Sequence, residues 1–415
     1  MNKNDSLLMQ QLLADAGFEP TADPDSADIH IVNTCTVRQH AANRALSYIA
    51  GLKRWHDRGG RVLCVTGCLA QAEADEISRR MAHVDLILGT DAYQNIGDHI
   101  KEIIAKKVRL VDTRVSNETY CGIYHPAAGV ADFVAIMRGC SNYCSYCIVP
   151  NVRGPARSRP YEDIRGEITY LIERGVKDIT LLGQNVNEYR HNDLDFAGLL
   201  ERVAKIPGTC RIRFLTSHPK DFSIKTVQVI EDYCNICEWC HLPLQSGSNR
   251  ILSLMNRRYT KEQYLDLVRN IRDRIPQATV TTDVIAGFPT ETDEEFLETI
   301  ALLEQLRFDD AYMYRYSPRP GTKASELTPL AEEMIKERLS ALIAVQTGIV
   351  KEKTHEMLGK EYEVLFESAA KQNGSRGKTR GNKDVVVRGH IEPGTIKNVV
   401  IKEIKGHTPI AEPVD

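Results

Sequence analysis

Three cysteines in one short segment, Cys140, Cys144 and Cys147, have the spacing CxxxCxxC. Thiolates this close together are typical ligands of a 4Fe–4S cluster, and three of them leave one iron free to bind something other than protein. Zinc sites usually take two CxxC pairs or include histidines. We therefore predict an iron–sulfur cluster with an open iron, in preference to a zinc site or to three unrelated buried thiols.

The elements that must position this loop form a repeating pattern. An apolar run at residues 133–137 predicts a buried strand just before the first cysteine. Further strands are predicted at residues 178–182, 211–215, 241–244, 279–286 and 311–316, with helical stretches such as 164–174 and 264–274 between them. Six βα units predict a partial barrel, in which functional groups lie at the carboxyl ends of the strands.

Glycine and polar residues follow the ends of these strands. Gly183, Gln184 and Asn185 end the second strand, and His218 follows the third. Glycine allows close approach to the backbone, and amides can orient a zwitterion or a ribose without titrating. His218 could take part in catalysis, but we favour a helix cap or a core hydrogen bond. We assign no acid or base.

The amino-terminal segment has a second alternating pattern. Strands at residues 29–32, 62–65 and 84–88 lie between helices, which predicts an open parallel sheet. Cys35 and Cys68 each come just after a strand, so both thiols could face one crevice at the carboxyl edge of the sheet. The alternative is that each is a small buried residue, which is the more common role of a lone cysteine.

Composition and charge narrow the class of protein. The 415 residues suggest two or three domains, and 42% hydrophobic with 26% charged residues is ordinary for a globular protein. A formal net charge of -3 argues against wholesale coating of nucleic acid but allows a local basic patch. Without a signal-like start or a run of about 18 apolar residues, we expect a cytoplasmic protein with no membrane segment. Eleven cysteines then indicate metal ligation and buried thiols rather than disulfides.

Two other segments could bind anions or metals. The arginine-rich loop at residues 150–160, next to the cluster cysteines, is a candidate for contacts to an anionic substrate or is a plain solvated loop. Cys234, Cys237 and Cys240 repeat a CxxC spacing but overlap the start of a strand, where alternate side chains point to opposite faces. We do not expect a third metal site there.

The carboxyl-terminal segment follows a long helical pattern at residues 331–357. Short strands at residues 362–366, 385–387 and 399–401, separated by turns, predict a small β-barrel. Residues 371–388 contain a single acidic residue, Asp384. The basic residues of this range are Lys371, Arg376, Lys378, Arg380, Lys383 and Arg388. In a chain of net negative charge, this group favours contacts to a phosphate backbone over a plain solvated face.

The CxxxCxxC segment resembles that of the radical S-adenosylmethionine (SAM) enzymes, whose signature has an aromatic residue, here Tyr146, before the last cysteine. The resemblance implies that the free iron binds the amino and carboxylate groups of SAM, and that one electron cleaves SAM to methionine and a 5′-deoxyadenosyl radical. It also implies that Tyr146 belongs to the cofactor site and that Gly183, Gln184 and Asn185 hold the SAM amino group.

The motifs NTCxVR, at Cys35, and GCxAQ, at Cys68, resemble the methylthiotransferase family of radical SAM enzymes, in which three cysteines hold a second 4Fe–4S cluster. Cys35 and Cys68 would be two of these ligands. The third belongs to a GCQMNxxDS motif, of which only the tail is present at residues 1–6. We therefore expect a truncated or late start that removes a strand and a ligand, and doubtful assembly of the second cluster. Cys64 is expected in the core, although a role as substitute ligand stays open.

The resemblance covers the whole chain and implies an α/β protein of three domains. Residues 1–125 would form the amino-terminal parallel sheet, with its first strand missing. Residues 126–356 would form the partial (βα)6 radical SAM barrel. Residues 357–415 would form a TRAM domain, a small RNA-binding β-barrel.

Within the family, the NTCTVR segment at residues 33–38 and the segment at residues 181–187 match the branch that adds a methylthio group to carbon 2 of N6-isopentenyladenosine at position 37 of tRNA. An aromatic C–H bond without acidity suits radical chemistry. Two SAM molecules would be used, one for the methyl group and one for the radical. Expected partners are the tRNA anticodon loop and a low-potential donor such as flavodoxin or ferredoxin, with the protein a monomer. The alternatives are threonylcarbamoyladenosine in tRNA, a protein side chain, or a non-enzymatic iron–sulfur RNA-binding protein.

Overall fold

The computed structural model describes residues 1–36, 39–370 and 374–414. Its amino-terminal unit contains the strands β1 Ile29–Thr34, β2 Val62–Gly67, β3 Leu86–Leu88 and β4 Leu110–Asp112. The helices are α1 Asn2–Asp15, α2 Gln39–Gly51, α3 Lys53–His56, α4 Cys68–Arg80 and α5 Ile96–Lys106. The strands form one parallel sheet of order β1-β2-β3-β4.

Each face of this sheet has its own hydrophobic core. Cys64 shares a core with Leu8 of α1 and Ile100 of α5, whereas its neighbour Leu63 shares the other core with Ile49 of α2. Successive strand residues point to opposite faces, so one register fixes both cores. The predicted parallel sheet is confirmed, and α5 and β4 are elements that the sequence analysis missed.

The central unit is the longest. Its strands are β5 Ala131–Ala135, β6 Met137–Arg138, β7 Arg157–Ser158, β8 Asp178–Leu182, β9 Arg190–His191, β10 Leu194–Asp195, β11 Arg211–Leu215, β12 Trp239–His241, β13 Thr279–Ala286 and β14 Asp310–Arg315. Its helices are α6 Val149–Arg153, α7 Tyr161–Glu173, α8 Phe196–Ala204, α9 Ile224–Asp232, α10 Asn249–Leu254, α11 Lys261–Arg274, α12 Asp293–Leu306 and α13 Glu332–His355. Short 3-10 helices occur at Tyr93–Asn95, Val186–Glu188, Pro219–Asp221 and Lys323–Glu326.

Six parallel strands of this unit form two groups of three, β11-β8-β5 and β12-β13-β14. An isolated parallel bridge between Ile212 and Ile236 joins the groups. The predicted partial (βα)6 barrel is therefore confirmed. None of the described helices is both long enough and apolar enough to cross a membrane.

Two predicted strands of the barrel have different bounds. The run at residues 133–137 is divided into β5 and β6, because β6 leaves β5 to pair with β7 in antiparallel fashion. The run at 241–244 ends its strand at His241 in β12. Pro243 follows, which has no N–H to donate to a ladder, and the Leu244 N–H donates instead to the Thr282 hydroxyl at 2.8 Å.

Local sequence signals start two of the barrel helices. Thr260 accepts from the backbone of Gln263 at the start of α11, and the Gln263 side chain accepts from the Thr260 N–H in return. Thr292 and Glu295 make the same reciprocal pair at the start of α12. Each capping box satisfies two N–H groups that a helix end would otherwise leave unpaired.

The carboxyl-terminal unit is a closed barrel. Its strands are β15 Glu361–Ala370, β16 Gly374–Thr379, β17 Asp384–Arg388, β18 Ile396–Lys405 and β19 Thr408–Pro413, in the order β15-β16-β17-β19-β18. The predicted small β-barrel is confirmed. The sequence analysis missed β19 and also β16, which is polar and contains glycine. A side chain at Gly377 would meet the Leu365 carbonyl, so this glycine allows the two strands to approach closely.

This carboxyl-terminal barrel covers the amino ends of the central strands. Arg211, at the start of β11, donates to the Lys378 carbonyl at 2.8 Å and pairs with Glu363 at 2.7 Å. Arg213 donates to the Thr379 carbonyl at 2.9 Å. The carboxyl ends of the central strands, where function was predicted, lie at the opposite end of the partial barrel.

Candidate functional site

The loop that carries Cys140, Cys144 and Cys147 connects β6 to α6. It begins at Gly139, whose φ of 74° is in the left-handed region and whose missing side chain leaves room for the Pro155 carbonyl. The Cys147 N–H donates to the Cys144 carbonyl at 2.9 Å, which turns these two residues back on each other. The loop is therefore a compact turn at the end of a strand, as predicted.

Two neighbouring elements brace the loop. The Ser145 N–H donates to the Met255 carbonyl at 3.0 Å, and the Asn256 amide donates to the Tyr143 carbonyl at 2.9 Å. On the other side, the Ala324 N–H donates to the Ser145 carbonyl at 2.8 Å. These bonds fix the backbone from which the thiols project.

Two of the three sulfur atoms accept hydrogen bonds. The Arg257 guanidinium donates through Nη1 to Cys144 Sγ at 3.4 Å, and the Asn142 amide donates to Cys140 Sγ at 3.4 Å. Burial, with the neighbouring thiols acting in the same direction, raises the pKa of Cys140 to about 11 and that of Cys147 to about 12. A bound cation would reverse this effect, because coordinated thiols lose their protons.

The donor set fits a 4Fe–4S cluster held at three corners. Within residues 1–36, 39–370 and 374–414, no three His, Cys, Asp or Glu side chains are already arranged to hold a metal ion. The three thiols nevertheless lie in one loop, and Cys140 and Cys144 are close enough to Cys147 to help raise its pKa. Hydrogen bonds to sulfur are a usual means of tuning such clusters. The ligand role of the three cysteines stays a prediction.

Tyr146 and Gly183 lie beside this loop. The Tyr146 ring packs against the cluster formed by Met255 and Phe288, at the carboxyl end of β13. A side chain at Gly183 would lie 2.6 Å from Met137 Cγ, so glycine lets the end of β8 contact the strand that leads into the cysteine loop. Both contacts are to protein, and the cofactor-binding role of the two residues stays a prediction.

The two amides that follow differ in what they contact. The Asn185 side chain donates to Asp221 at 2.9 Å and accepts from the His218 N–H at 3.0 Å, so it ties the loop after β8 to the loop after β11. Gln184 Oε1 is buried and has no hydrogen-bond partner within the described chain. Of the predicted pair, Gln184 has the side-chain oxygen available to a cofactor, whereas Asn185 positions the loops.

His218 is a cap, as favoured from the sequence. Its Nδ1 accepts from the Lys220 N–H at 3.3 Å at the start of the 3-10 helix Pro219–Asp221. Burial, helped by the nearby cations Arg257, Lys220 and Arg258, lowers the pKa of His218 to about 2. The imidazole is therefore neutral, and its edge packs on the Tyr259 ring with the centroids 5.7 Å apart.

Buried polar atoms without partners gather at the ends of β8 and β11. Besides Gln184 Oε1, they are both amide atoms of Asn187, Ser217 Oγ and His218 Nε2, as far as the chain is described. Thr216, between the strand and this group, has φ of 73°, which is strained for a β-branched residue. Since buried polar groups are nearly always satisfied, this group of atoms is a candidate site for a polar ligand.

Cys35 and Cys68 lie side by side at the carboxyl edge of the amino-terminal sheet. They follow Thr34 and Gly67, which are partners in the register of β1 and β2. Burial raises the pKa of the Cys68 thiol, with Cys35 close enough to add to the effect. The structure thus brings the two predicted ligands to one edge, and their binding of a second cluster stays a prediction.

The other cysteines named from the sequence lie elsewhere. Cys64 is fully buried in the core of the amino-terminal sheet, away from that edge. Cys234 is exposed, whereas Cys237 and Cys240 are buried. Cys240 belongs to the main hydrophobic core of the central unit.

A buried charge network that the sequence analysis missed joins the two cysteine sites. Asp5 of α1 pairs with Arg138 at 2.9 Å and with Arg153 at 2.6 Å, and all three residues are at most 5% exposed. Arg153 also donates through Nε to Cys68 Sγ at 3.2 Å. Because Arg153 ends the helix after Cys147, this network fixes the edge of the amino-terminal sheet against the cluster loop.

The arginines of the segment at residues 150–160 are buried in ion pairs within the protein, so the expectation that they face solvent or an anionic substrate was wrong. Arg157 pairs with Asp91 at 2.7 Å, and Arg159 pairs with Glu167 at 2.6 Å, with all four side chains at most 8% exposed. The acidic partners are distant in sequence or lie on α7, so the arginine pattern alone could not indicate that the loop packs inward.

The cations of the carboxyl-terminal barrel are partly neutralised. Arg376 and Lys378 pair with Asp384 at 2.6 and 3.2 Å, and Arg380 pairs with Glu238 of the central unit at 2.7 Å. Lys371 lies outside the described residues. The exposed basic surface is therefore smaller than the sequence suggested, because Arg380 belongs to the domain contact.

Comparisons with known proteins indicate the class of enzyme to which this chain belongs. A model described as the Radical SAM superfamily matches residues 134–303, and one described as Uncharacterized protein family UPF0004 matches residues 1–89. The fold is similar to that of the radical SAM methyltransferase TsrM from Kitasatospora setae, with TM-score 0.60 and 13% identity over 78% of this chain and 74% of that one. It is also similar to the cobalamin-dependent SAM radical enzyme OxsB, with TM-score 0.53 and 12% identity over 82% of this chain and 49% of that one. Fold and cysteine loop are those of a radical SAM enzyme.

The relatives in sequence narrow this class to one family. Proteins named tRNA-2-methylthio-N(6)-dimethylallyladenosine synthase match 98% of this chain in Thermodesulfovibrio yellowstonii, at 40% identity over 95% of the relative, and in Pelotomaculum thermopropionicum, at 41% over 93%. A third, from Syntrophus aciditrophicus, is 42% identical over 98% of this chain and 91% of its own length. The chain belongs to the family of tRNA-2-methylthio-N(6)-dimethylallyladenosine synthases, and the resemblance stated from its motifs is confirmed.

Proposed function

We propose that this enzyme adds a methylthio group to carbon 2 of N6-isopentenyladenosine at position 37 of tRNA. The observation that carries the proposal is the family membership over nearly the whole chain, together with a radical SAM cysteine loop beside unsatisfied polar atoms. The relatives compared above share this one name, which favours it over threonylcarbamoyladenosine, a protein side chain or a non-enzymatic role.

The cofactors are SAM and 4Fe–4S clusters. Cys140, Cys144 and Cys147 would hold the cluster that binds SAM, and Cys35 and Cys68 would supply ligands to the second. When bound, these groups supply one-electron chemistry, which suits an aromatic C–H bond that has no acidity for a base to exploit.

The residues around the thiols direct and enclose this chemistry. Arg257 and Asn142 donate to two sulfurs, which fixes the direction of their lone pairs. The apolar cluster of Phe288, Met255 and Tyr146 excludes water from one side of the loop. Gln184 offers a buried acceptor for the ammonium group of SAM.

We take residues 1–125, 126–356 and 357–415 as the three domains, with the last as the RNA-binding one. Arg388 is 78% exposed and only loosely paired with Glu403 at 3.7 Å, so it is suited to phosphate contacts, which give affinity without selecting a base. Selection of the base then belongs to the barrel mouth. An adenine in a single-stranded loop can be extruded into such a site at modest cost in stacking.

A low-potential electron donor such as flavodoxin or ferredoxin is part of the proposal, because radical SAM chemistry consumes an electron. We also propose that the enzyme acts as a monomer in the cytoplasm, where tRNA is modified. Both are inferred from the chemistry and the composition of the chain.

The test is mass spectrometry of tRNA nucleosides. A bacterial strain that lacks its own enzyme of this family is complemented with the gene of this protein, including any codons before Met1 that supply the expected third ligand of the second cluster, or with the same gene carrying Cys144→Ala. We expect methylthio-isopentenyladenosine to return with the unchanged gene and to stay absent with the variant. Methylthiolation of threonylcarbamoyladenosine instead, or of no tRNA nucleoside, would refute the assignment.

A further inference from the structure

One buried nitrogen at the mouth of the barrel has no partner although its side chain is firmly held. His218 is 4% exposed, and its Nε2 makes no hydrogen bond to any described part of the chain. The loss of a hydrogen bond by a buried polar group costs free energy, so such an atom calls for an explanation.

The cap at the other nitrogen decides which atom carries the proton. Nδ1 accepts from the Lys220 N–H at 3.3 Å, so Nδ1 keeps its lone pair and the neutral ring carries its proton on Nε2. His218 is thus a fixed donor. Asn185 holds the His218 backbone through a 3.0 Å bond, which further limits movement of the ring.

The donor lies close to the predicted cluster. The His218 ring packs on Tyr259 at 5.7 Å, the Arg257 Nε donates to the Tyr259 hydroxyl at 3.2 Å, and Arg257 Nη1 reaches Cys144 Sγ at 3.4 Å. Two side chains therefore separate the free N–H from the cysteine loop. The unpartnered hydroxyl of Ser217 lies next to it in the chain.

We propose that His218 Nε2–H donates a hydrogen bond to a ring nitrogen of the adenine that is modified, at N1 or N3. Both nitrogens are bonded to carbon 2, so a donor there holds the reacting carbon in place. The inference rests on the proposed function and adds a specificity-determining residue to it. A neutral donor suits a neutral acceptor, because it needs no proton transfer to bind.

Two variants separate this role from that of the cap. His218→Asn places an oxygen near the position of Nδ1 and keeps the cap, but it removes the distant donor. His218→Gln places an amide donor near the position of Nε2 but lacks the Nδ1 acceptor. We expect kcat/KM for isopentenylated anticodon stem-loop RNA to fall roughly 10-fold in His218→Asn and clearly less in His218→Gln.

Three properties that do not depend on RNA are measured for the same variant as controls. Iron content, the dissociation constant for SAM and the formation of 5′-deoxyadenosine without RNA should be the same in His218→Asn and in the unchanged enzyme. If His218→Asn weakens SAM binding as much as it lowers kcat/KM, the donor faces the adenine of SAM and the proposal is wrong. Full activity of His218→Asn would show that the cap is sufficient, and would also overturn it.

Base analogues test the proposal on the unchanged enzyme, even if a variant fails to fold. RNA with 1-deaza- or 3-deaza-isopentenyladenosine lacks one acceptor, and one of the two should lower kcat/KM roughly 10-fold, whereas the 7-deaza analogue should not. Equal rates with all three analogues would refute the hydrogen bond. Failure of the proposed function is distinguishable, because the unchanged enzyme would then methylthiolate none of these RNAs.

Discussion

The buried carboxylate of Asp5 offers a sharp test of how the two cysteine sites are held together. Asp5 is fully buried between the guanidinium groups of Arg138 and Arg153. The substitution Asp5→Asn keeps the shape of the side chain and removes its charge. Both arginines would then remain buried without a counter-charge at that position.

The expected cost follows from this geometry. Removal of one partner from a buried ion pair costs about 3–5 kcal/mol, because the remaining charge is left uncompensated. With a urea m-value of about 2 kcal/mol/M, the unfolding midpoint of the amino-terminal unit should fall by roughly 1.5–2.5 M. The exposed pair of Lys53 and Asp57 gives the control Asp57→Asn, which should leave the urea midpoint nearly unchanged because water screens this pair.

Tryptophan fluorescence can report on this unit alone. The chain has two tryptophans, of which Trp55 is buried in the amino-terminal unit and Trp239 begins β12. In a Trp239→Phe background, the fluorescence of Trp55 therefore follows unfolding of the amino-terminal sheet. A midpoint shift in Asp5→Asn no larger than that of Asp57→Asn would refute the reasoning.

The pH dependence has a definite sign. Burial alone would raise the pKa of Asp5, but Arg138 and Arg153 together hold it below the ordinary value of 3.8. The stability that this carboxylate contributes is therefore complete above about pH 4 and is lost as the pH falls through the lowered pKa. The difference between the unchanged chain and Asp5→Asn should be constant from pH 5 to 7 and shrink only in stronger acid.

Three further predictions concern the cluster, the domain contact and the barrel. Arg257→Gln should make the reduction potential of the reconstituted cluster more negative in an EPR-monitored titration, because a positive donor to Cys144 sulfur is lost. Arg380→Met should speed limited proteolysis before β15 several-fold, since Arg380 pairs with Glu238 across the domain contact. Glu295→Gln should cost about 1 kcal/mol at pH 7 in urea unfolding, because Arg250 is half exposed and water screens the pair, and less below about pH 4, since the Arg250 hydrogen bond lowers the pKa of Glu295 to about 2.

Each of these has a matched control that is exposed in the same segment. Arg258→Gln should leave the reduction potential unchanged. Arg388→Met should not change the proteolysis rate, and Glu294→Gln should not change the urea midpoint. If a control variant shifts its readout as far as its test variant does, the specific contact is not the cause. If a test variant leaves its own readout unchanged, the contact that it removes is not needed for that property.

The sequence predicted the local structure around the cysteine loop better than the long-range contacts of that loop. The CxxxCxxC spacing and the polar residues after the strands are local signals, because a strand end and the loop after it are neighbours in the chain. His218 is one example, since a cap bonds to the residue two positions ahead. The six strands of the partial barrel were found for the same reason.

Long-range partners could not be predicted in this way. Asp5 and Arg153 are 148 residues apart, and nothing in the arginine-rich loop indicates that its charges are buried. Strand β16 was missed because barrel closure, rather than β-propensity, holds its polar and glycine residues in a ladder. The strand end at His241 was missed because the apolar run continues past it, although Pro243 breaks the ladder.

The most direct test of the account is to change Cys140, Cys144 and Cys147 to alanine together and to measure iron, acid-labile sulfide and 5′-deoxyadenosine after anaerobic reconstitution with SAM and dithionite. We predict that the triple variant loses about four irons per chain relative to the unchanged protein and forms no 5′-deoxyadenosine. Cys234→Ala, Cys237→Ala and Cys240→Ala together serve as the control and should retain the iron. Retention of iron and of SAM cleavage in the first triple variant would contradict the central claim that these thiolates hold the reactive cluster.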